Sequence, residues 1–277
     1  MTEDSPTITV QDLTQAIEHL ELAGTPVCLH ASLRSLGRVE GGADAVIDAF
    51  LAAGCTLLVP TFTGMQLEVL PEPDQMIERN GWDVIEAQSL PKRTETVFSP
   101  DLNLMDARMG QIPSAVLRRP ERVRGNHPHN SFAAIGPQAQ LLIEEQGWDD
   151  VYAPLREMTK QRGCVLLAGV GLNRMTILHF AEVLAGRRLF RRWATGPDGS
   201  AVAVPVGSCS EGFPNLEPVL GMLARETTVG TSLWRLFPAA ETVTTSAALI
   251  RTDPGITHCG NPECVRCPHA IAGGPKL

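Results

Sequence analysis

Residues 27–59 read VCLHASLRSLGRVEGGADAVIDAFLAAGCTLLV, and this run decides the fold. Short apolar segments at residues 27–30 and 56–59 predict two buried strands. The stretch between them, residues 41–53, begins at two glycines and predicts a helix. The run is therefore a strand-helix-strand unit, the building block of an α/β domain.

The rest of the chain repeats this alternation. Residues 9–23 predict an amphipathic helix that ends at Gly24, and residues 190–206 predict a polar hairpin. The remaining predictions are strands at residues 132–135 and 165–168, and helices at residues 138–145, 155–162, 175–185 and 214–226. Together they predict an α/β sandwich with a central, mostly parallel sheet and a site at the carboxyl ends of its strands.

Two segments break the alternation. Residues 60–113 accumulate Pro, Gly, Asp and Glu, which predicts a long irregular insertion over the end of a strand, and such loops are usually functional. Residues 257–277 form a tail rich in Cys and His. We expect one domain over residues 1–256, with the tail packed against it.

The net charge and the lack of long apolar runs indicate which kinds of partner the protein binds. A formal charge of −8 argues against a nucleic-acid partner and suits a cationic small molecule, although an acidic balance also serves solubility. The sequence shows no signal peptide and no apolar run of about 18 residues. We therefore expect a cytoplasmic protein with no membrane partner, and the sequence does not predict an oligomeric state.

Five motifs follow one another along the chain. They are His30-x-Ser-Leu-x-Ser-Leu-Gly-x-Val-x-Gly-Gly42, Val59-Pro60-Thr61, Met109-Gly-Gln-Ile-Pro113, Asn126-His-Pro-x-x-Ser-Phe132 and Gly169-Val-Gly-x-Asn-x-x-Thr-x-x-His-x-x-Glu182. In this order they resemble the aminoglycoside 3-N-acetyltransferase family, over about residues 10–250. None of the five motifs is specific alone.

The resemblance implies a fold distinct from that of the common acetyltransferase superfamily. It implies transfer of an acetyl group from acetyl-CoA to the 3-amino group of the 2-deoxystreptamine ring of an aminoglycoside, a reaction that confers antibiotic resistance. The coenzyme is expected along residues 30–42. The coenzyme contacts that it implies are His30, Ser32, Leu33, Arg34, Ser35, Gly37, Val39, Gly41, Gly42, Ile112 and Ser114.

The resemblance also makes His179 the general base. An alkyl ammonium must lose a proton before its nitrogen attacks a thioester, and imidazole titrates near neutral pH. Thr176 and Glu182 are spaced so that they share a helix face with His179. Backbone amides near residues 60–63 or the Thr176 hydroxyl are the candidate donors to the thioester oxygen.

The chain departs from the family at the acceptor site. Members often place an Asp shortly after the Pro-Thr corner, whereas Gln66 and Glu68 lie there in this sequence. The predicted acceptor-binding residues are Thr61, Thr63, Gln66 and Glu68. An acid expected near residues 202–206 is also missing, so Glu182 or Glu211 is expected to partner His179. An amine other than an aminoglycoside therefore remains an alternative acceptor.

The tail carries His258-Cys259-x4-Cys264-x2-Cys267-x-His269, which suits a structural zinc ion. The predicted ligands are Cys209, Cys264, Cys267 and either Cys259 or His269, the alternative being a tail with free thiols. A zinc-dependent hydrolase using His127, His129, His179 and Glu182 is a less favoured third function. His127 is predicted to be structural, and His19 and His129 are predicted to lie on the surface.

Overall fold

The structure, a computed structural model, describes residues 7–82 and 89–277. Residues 1–6 of the predicted domain and residues 83–88 of the predicted insertion lie outside the described residues. Over the described part, the strands are β1 (Pro26–Ala31), β2 (Thr56–Pro60), β3 (Glu68–Val69), β4 (Val123–Arg124), β5 (Phe132–Ile135), β6 (Cys164–Ala168), β7 (Phe190–Thr195), β8 (Ala201–Val206), β9 (Arg225–Val229) and β10 (Ser232–Pro238).

The helices of the described residues pack on both faces of the sheet. They are α1 (Val10–His19), α2 (Leu33–Leu36), α3 (Gly42–Ala52), α4 (Gln111–Arg118), α5 (Ala139–Ile143), α6 (Ala153–Lys160), α7 (Ile177–Leu184), α8 (Glu217–Leu220), α9 (Ala239–Thr252) and α10 (Arg266–Ile271). None of them is long and apolar enough to cross a membrane.

Seven of the described strands form the main sheet, in the order β4-β5-β2-β1-β6-β10-β9. The three central strands run parallel, with Cys28 of β1 opposite Leu58 of β2 and Val165 of β6. The flanking strands β5 and β10 pair antiparallel to them. The predicted α/β class is confirmed, and the parallel pairing lies at its centre.

Side chains of β1 alternate between two cores. Val27 and Leu29 pack with helices α1, α3 and α4, whereas Cys28 packs with α5, α6, α7 and α9. This alternation is the period of a strand covered on both faces. It makes the main domain a three-layer sandwich.

A second sheet of the described residues has the order β3-β7-β8. Strands β7 and β8 are the predicted hairpin, and β3 comes from the predicted irregular insertion. That insertion also contains short 3₁₀ turns at Gly64–Leu67, Pro73–Gln75 and Ala107–Met109. This small sheet lies over the carboxyl ends of the central strands, because Glu68 and Arg192 line the same cavity as His30 of β1.

Two element predictions were wrong. The helix predicted over residues 214–226 is the short α8 between 3₁₀ turns at Phe213–Leu216 and Gly221–Leu223, and the chain then forms β9 and β10, which were not predicted. Strand β9 is an edge strand with polar, mostly exposed side chains, so its sequence lacks the apolar signal. Helix α1 ends at His19 because the chain turns at Glu21, which has a φ of +53°, and buries Leu22.

The tail contacts the main domain at several points. The backbone N–H of Arg188 donates to Gly273 at 3.1 Å, and Arg79 Nε donates to the Gly274 carbonyl at 2.6 Å. The division into a domain over residues 1–256 and a tail stays a prediction.

Candidate active site

A cavity of about 1090 Å³ opens at the carboxyl edge of the three parallel strands. His30 and Ala31 reach it from the end of β1, Pro60 from β2, and Val170 from the turn after β6. Parallel strands end at one edge of a sheet, so their following loops converge there. The cavity therefore opens at the predicted location of the site.

His179 lies in this cavity and is bonded to a buried carboxylate. Its Nδ1 is 2.8 Å from Oε2 of Glu182, one turn further along α7. His179 is 8% exposed and Glu182 2% exposed. Since Nδ1 is engaged by Glu182, Nε2 is the nitrogen left to exchange a proton in the cavity. The predicted orienting acid is thus Glu182, whereas Glu211 accepts from Asn173 at 3.0 Å.

Glu182 is held by two further donors. Arg187 Nη1 donates to Oε1 at 2.5 Å, and the Ser208 hydroxyl lies 2.8 Å from Oε2. Burial alone raises the pKa of Glu182, but the hydrogen bond and charge of His179, the charge of Arg187 and the Ser208 hydroxyl outweigh it, and the pKa is lowered. The carboxylate therefore stays ionised beside the imidazole.

Aromatic rings and a glycine fix the imidazole plane. Tyr152 stacks on His179 with an interplanar angle of 6°, and Phe213 meets it edge-on at 4.7 Å between centroids. A Cβ on Gly207 would lie 2.8 Å from the imidazole and 2.6 Å from the Tyr152 hydroxyl. Burial and the charge of Glu182 raise the pKa of Tyr152, so Tyr152 is neutral and acts here through packing.

The predicted oxyanion donors differ in whether they are already engaged. The backbone amides of Thr61 and Thr63 donate to the carbonyls of Ser131 and His129 at 3.0 Å, because this segment continues the pairing of β2 with β5. The Thr176 side chain lines the cavity at the start of α7, one turn before His179. The prediction of backbone amides was wrong for Thr61 and Thr63.

The structure brings part of the predicted coenzyme segment to the cavity. His30, Ser32, Leu33 and Arg34 line it, in the turn from β1 into α2. The other predicted coenzyme residues are not among its lining residues: Ser35, Gly37, Val39, Gly41, Gly42, Ile112 and Ser114. Ser35 instead donates to the Ser32 carbonyl at 2.7 Å, which closes the turn.

Of the four predicted acceptor residues, only Glu68 lines the cavity. Its carboxylate lies 3.2 Å from Nε of Arg192 on β7. Thr61 and Thr63 are fully buried, and their hydroxyls donate to the carbonyls of Ser131 and Pro128. Gln66 is exposed and donates to the Met105 carbonyl at 3.3 Å.

His127 and His129 are both buried and hydrogen-bonded to the backbone. His127 is buried and its Nδ1 accepts from the backbone of Asn130 at 2.9 Å, as predicted for a structural corner. His129 was predicted to lie on the surface but is 3% exposed, with Nε2 3.1 Å from the Trp193 carbonyl, since the β7 strand covers it. Burial lowers the pKa of His30 and His129 to about 4 and that of His127 to about 3.

The cysteines of the tail converge on Cys209. The sulfur atoms of Cys209, Cys259, Cys264 and Cys267 all lie within 4.8 Å of one another, and we call this group the four-cysteine cluster. No other group of potential metal ligands of this kind occurs among residues 7–82 and 89–277. His269 instead accepts from the backbone of Gly81 at 2.9 Å. Of the two alternatives for the fourth ligand, Cys259 lies in the cluster and His269 does not.

Sequence reasoning missed the residues that hold the His179–Glu182 pair in place. Arg187, Ser208, Tyr152 and Gly207 belong to no motif used in the sequence analysis. One local signal was available: Arg187 follows Glu182 by five residues, just beyond the end of α7. The others come from distant segments, so only the fold brings them together.

An imidazole oriented by a buried carboxylate, on the wall of a large cavity, is the arrangement of enzymes that move a proton during their reaction. The chain belongs to the aminoglycoside 3-N-acetyltransferase family, whose sequence model matches residues 28–251. That match runs from β1 to the end of α9 and so includes His179 and Glu182.

Curated relatives and solved structures agree with this membership. Aminoglycoside N(3)-acetyltransferase IX of Micromonospora chalcea is 35% identical over 60% of this chain, and aminoglycoside N(3)-acetyltransferase VIII of Streptomyces fradiae is 31% identical over 62%. The aligned segments span 58% and 65% of those two relatives' own lengths.

Among solved structures, aminoglycoside acetyltransferase AAC(3)-IVa is 25% identical with a TM-score of 0.77, and the match covers 98% of this chain and all of that one. A histidine-to-alanine variant of AAC(3)-IVa was solved in complex with a gentamicin, with 25% identity, a TM-score of 0.75 and the same coverage. AAC-IIIb, solved with CoASH, is 21% identical with a TM-score of 0.71, covers 89% of this chain and 97% of its own, and shares the fold.

Proposed function

We propose that this protein transfers the acetyl group of acetyl-CoA to an amino group of an aminoglycoside, with His179 as the general base. The observation that carries the proposal is the His179–Glu182 pair, which faces a cavity of about 1090 Å³ at the carboxyl edge of the parallel strands. Membership of the aminoglycoside 3-N-acetyltransferase family supports the reaction class.

In the proposed mechanism, donor and acceptor are bound in the cavity together. Nε2 of His179 removes a proton from the acceptor ammonium, and the freed nitrogen attacks the thioester carbonyl. Glu182 accepts a hydrogen bond from Nδ1–H of His179 and so stabilises the imidazolium. The Thr176 hydroxyl donates a hydrogen bond to the developing oxyanion. When the tetrahedral intermediate collapses, the C–S bond breaks, the imidazolium returns its proton to the leaving thiolate, and the nitrogen releases its second proton to solvent. The products are an acetamide and CoA.

Acetyl-CoA is the proposed donor, and the turn from β1 into α2 is its proposed binding segment. His30, Ser32, Leu33 and Arg34 line the cavity in this turn. Arg174 lines the same cavity as Arg34, and guanidinium groups suit the phosphates of a coenzyme. AAC-IIIb, which shares the fold, was solved with CoASH.

An aminoglycoside is the proposed acceptor, since AAC(3)-IVa was solved with a gentamicin. One observation favours a second candidate, a less cationic amine: Glu68 lies 3.2 Å from Arg192, so its charge is already balanced in the cavity wall. Among the described residues that line the cavity, the acid left to attract a polycation is Glu211, which is exposed there.

A panel of acceptors distinguishes these two candidates. Release of CoA thiol from acetyl-CoA is measured with gentamicin, apramycin and simple primary amines, and mass spectrometry locates the added acetyl group. Turnover with an aminoglycoside, at the 3-amino group, supports the first candidate. Turnover only with simple amines supports the second, and no turnover with any amine refutes the proposed function.

We also propose a structural zinc ion in the four-cysteine cluster. Four sulfur atoms around a tetrahedral zinc lie about 3.8 Å apart, which fits thiols that already lie within 4.8 Å of one another. Backbone support is present as well, because the N–H of Cys259 donates to Cys267 Sγ at 3.4 Å. Elemental analysis of the purified protein tests this: about one zinc per chain is expected, and a zinc-free folded protein refutes it. A cytoplasmic location stays a prediction.

A further inference from the structure

The four-cysteine cluster joins two loops, and each loop also holds a partner of the His179–Glu182 pair. The first loop follows β8 and carries Cys209. Its neighbour Ser208 places its hydroxyl 3.0 and 2.8 Å from the two carboxylate oxygens of Glu182. Any shift of Cys209 therefore moves the donor beside it.

The second loop follows α9 and carries Cys259. Two residues before Cys259, the Thr257 hydroxyl accepts from Arg187 Nη1 at 2.8 Å, and Nη2 of Arg187 donates to the Pro254 carbonyl at 2.6 Å. The same Nη1 donates to Glu182 at 2.5 Å. The second loop thus positions Arg187, and Arg187 contacts the same carboxylate as Ser208.

The two loops pack closely but are joined by few bonds in the described structure. A Cβ on Gly212 would lie 2.0 Å from the Thr257 carbonyl, so the two backbones touch there. Asn215 Nδ2 donates to the carbonyls of Ile256 and His258 at 2.9 and 3.0 Å. A metal ion bound by all four thiolates would tie Cys209 of the first loop to the three cysteines that follow α9.

The start of α10, which follows the second loop, also reaches the cavity. Arg266, between Cys264 and Cys267, lines the cavity together with Ser210 and Glu211, which flank Cys209 on its other side. The cluster is thus built into the same wall as the proposed active site.

We propose that metal binding to the four-cysteine cluster positions Glu182, and through it the imidazole of His179, by fixing the two donors Ser208 and Arg187 against the carboxylate. This rests on the proposed role of His179 as the base. Ser208, Arg187 and Thr257 are positioning residues in this scheme. Misplacement of a reacting group by about 1 Å can cost about 100-fold in rate, so release of the metal lowers kcat even when the domain stays folded.

The activity test is a double-mutant cycle. Cys264→Ser is expected to lose the zinc and to lower kcat by about 10- to 100-fold, with the KM for acetyl-CoA changed by less than about threefold. In a His179→Ala background the same substitution is expected to change the residual rate by less than about threefold, because the group it positions is gone. If Cys264→Ser lowers kcat by the same factor in the His179→Ala background as in the wild type, the proposal is overturned.

Two matched variants control the cycle. Cys164→Ser removes a half-buried cysteine outside the cluster and is expected to leave zinc content and kcat unchanged. Cys264→His gives three cysteines and one histidine, a known zinc ligand set, and is expected to recover zinc and most of kcat. Recovery of zinc without recovery of kcat would also count against the proposal.

A spectroscopic readout separates this proposal from the acetyltransferase reaction. An Nδ1 proton that His179 shares with Glu182 gives a low-field NMR signal, identified by its loss in His179→Ala. The signal is expected in zinc-loaded protein and absent after chelation. If it responds to zinc while no acetyl transfer occurs, the proposed function fails and the positioning role stands. If it persists in folded zinc-free protein, the positioning role fails.

If removal of zinc unfolds the chain, variants that leave all four cysteines in place carry the test. Ser208→Ala and Thr257→Val are each expected to retain zinc, to lower kcat by about 3- to 30-fold and to broaden or shift the low-field signal. Unchanged kcat and an unchanged signal in both variants would overturn the proposal.

Discussion

Replacing Glu182 with Gln tests the proposed catalytic pair most finely, because the shape of the side chain is kept and its charge is removed. In the structure, Oε2 of Glu182 is 2.8 Å from Nδ1 of His179, and both residues are buried. A hydrogen bond to a charged group contributes about 1.5–3 kcal/mol. This contribution is greatest when His179 carries the proton, which is after deprotonation of the acceptor.

The expected loss in kcat follows from that energy. At about 1.36 kcal/mol per tenfold change in rate, loss of the charge lowers kcat by about 10- to 150-fold. Steady-state kinetics with acetyl-CoA and an accepted amine measures it. The matched control is Glu211→Gln, a carboxylate on the same cavity that does not contact His179. We expect Glu211→Gln to alter the KM for the acceptor and to leave kcat within about threefold.

Glu182→Gln also leaves Arg187 charged and buried, which can destabilise the fold by about 3–5 kcal/mol. Thermal unfolding must therefore accompany the kinetics, and Ser208→Ala provides a milder perturbation of the same carboxylate. A folded Glu182→Gln protein whose kcat is within twofold of the wild type would refute the role assigned to this carboxylate.

Three further outcomes are expected. Thr176→Val removes the proposed oxyanion donor and is expected to lower kcat by about 100-fold with little change in the KM for acetyl-CoA, and an unchanged kcat would exclude that role. Gly207→Ala is expected to lower kcat at least tenfold without unfolding, because a Cβ there meets the His179 ring at 2.8 Å; an equally active variant would show that the ring tolerates displacement. Stability is expected to fall steeply on acidification below about pH 6.5, and urea unfolding at pH 7, 6 and 5 checks this. Burial lowers the pKa of His30, His127 and His129, so below that pH these histidines take up protons in the unfolded state but not in the native state. Each of them then lowers the free energy of unfolding by about 1.4 kcal/mol per pH unit. Equal stability at pH 7 and pH 5 would contradict this effect of burial.

Local sequence signals predicted the centre of the fold well. Strands β1, β2 and β6 are apolar runs covered on both faces, so each reads clearly as a buried strand. Strand β9 could not be recognised, because an exposed edge strand with Arg, Glu and Thr has no apolar pattern. Antiparallel addition of β10 to β6 is likewise a property of the assembled sheet.

Some contacts of the candidate site could also be predicted from the sequence, and others could not. His179 and Glu182 lie one helical turn apart, so their contact was predictable from spacing. The contacts of Arg187 with Thr257 and of Ser208 with Glu182 join residues 70 and 26 positions apart, and no local pattern reports them. Glu68 shows the opposite error: its position at the cavity was foreseen, but the Arg192 beside it was not.

The most direct test of the central claim is the rate of CoA thiol release by His179→Ala, measured beside the wild type with the same acceptor, together with the affinity of each protein for CoA. We expect kcat to fall by about 100-fold or more, with CoA affinity changed by less than about threefold, because the imidazole acts on the acceptor's proton rather than in holding the donor. A His179→Ala protein that keeps its kcat, or that loses turnover and CoA affinity in equal measure, would contradict the assignment of His179 as the general base.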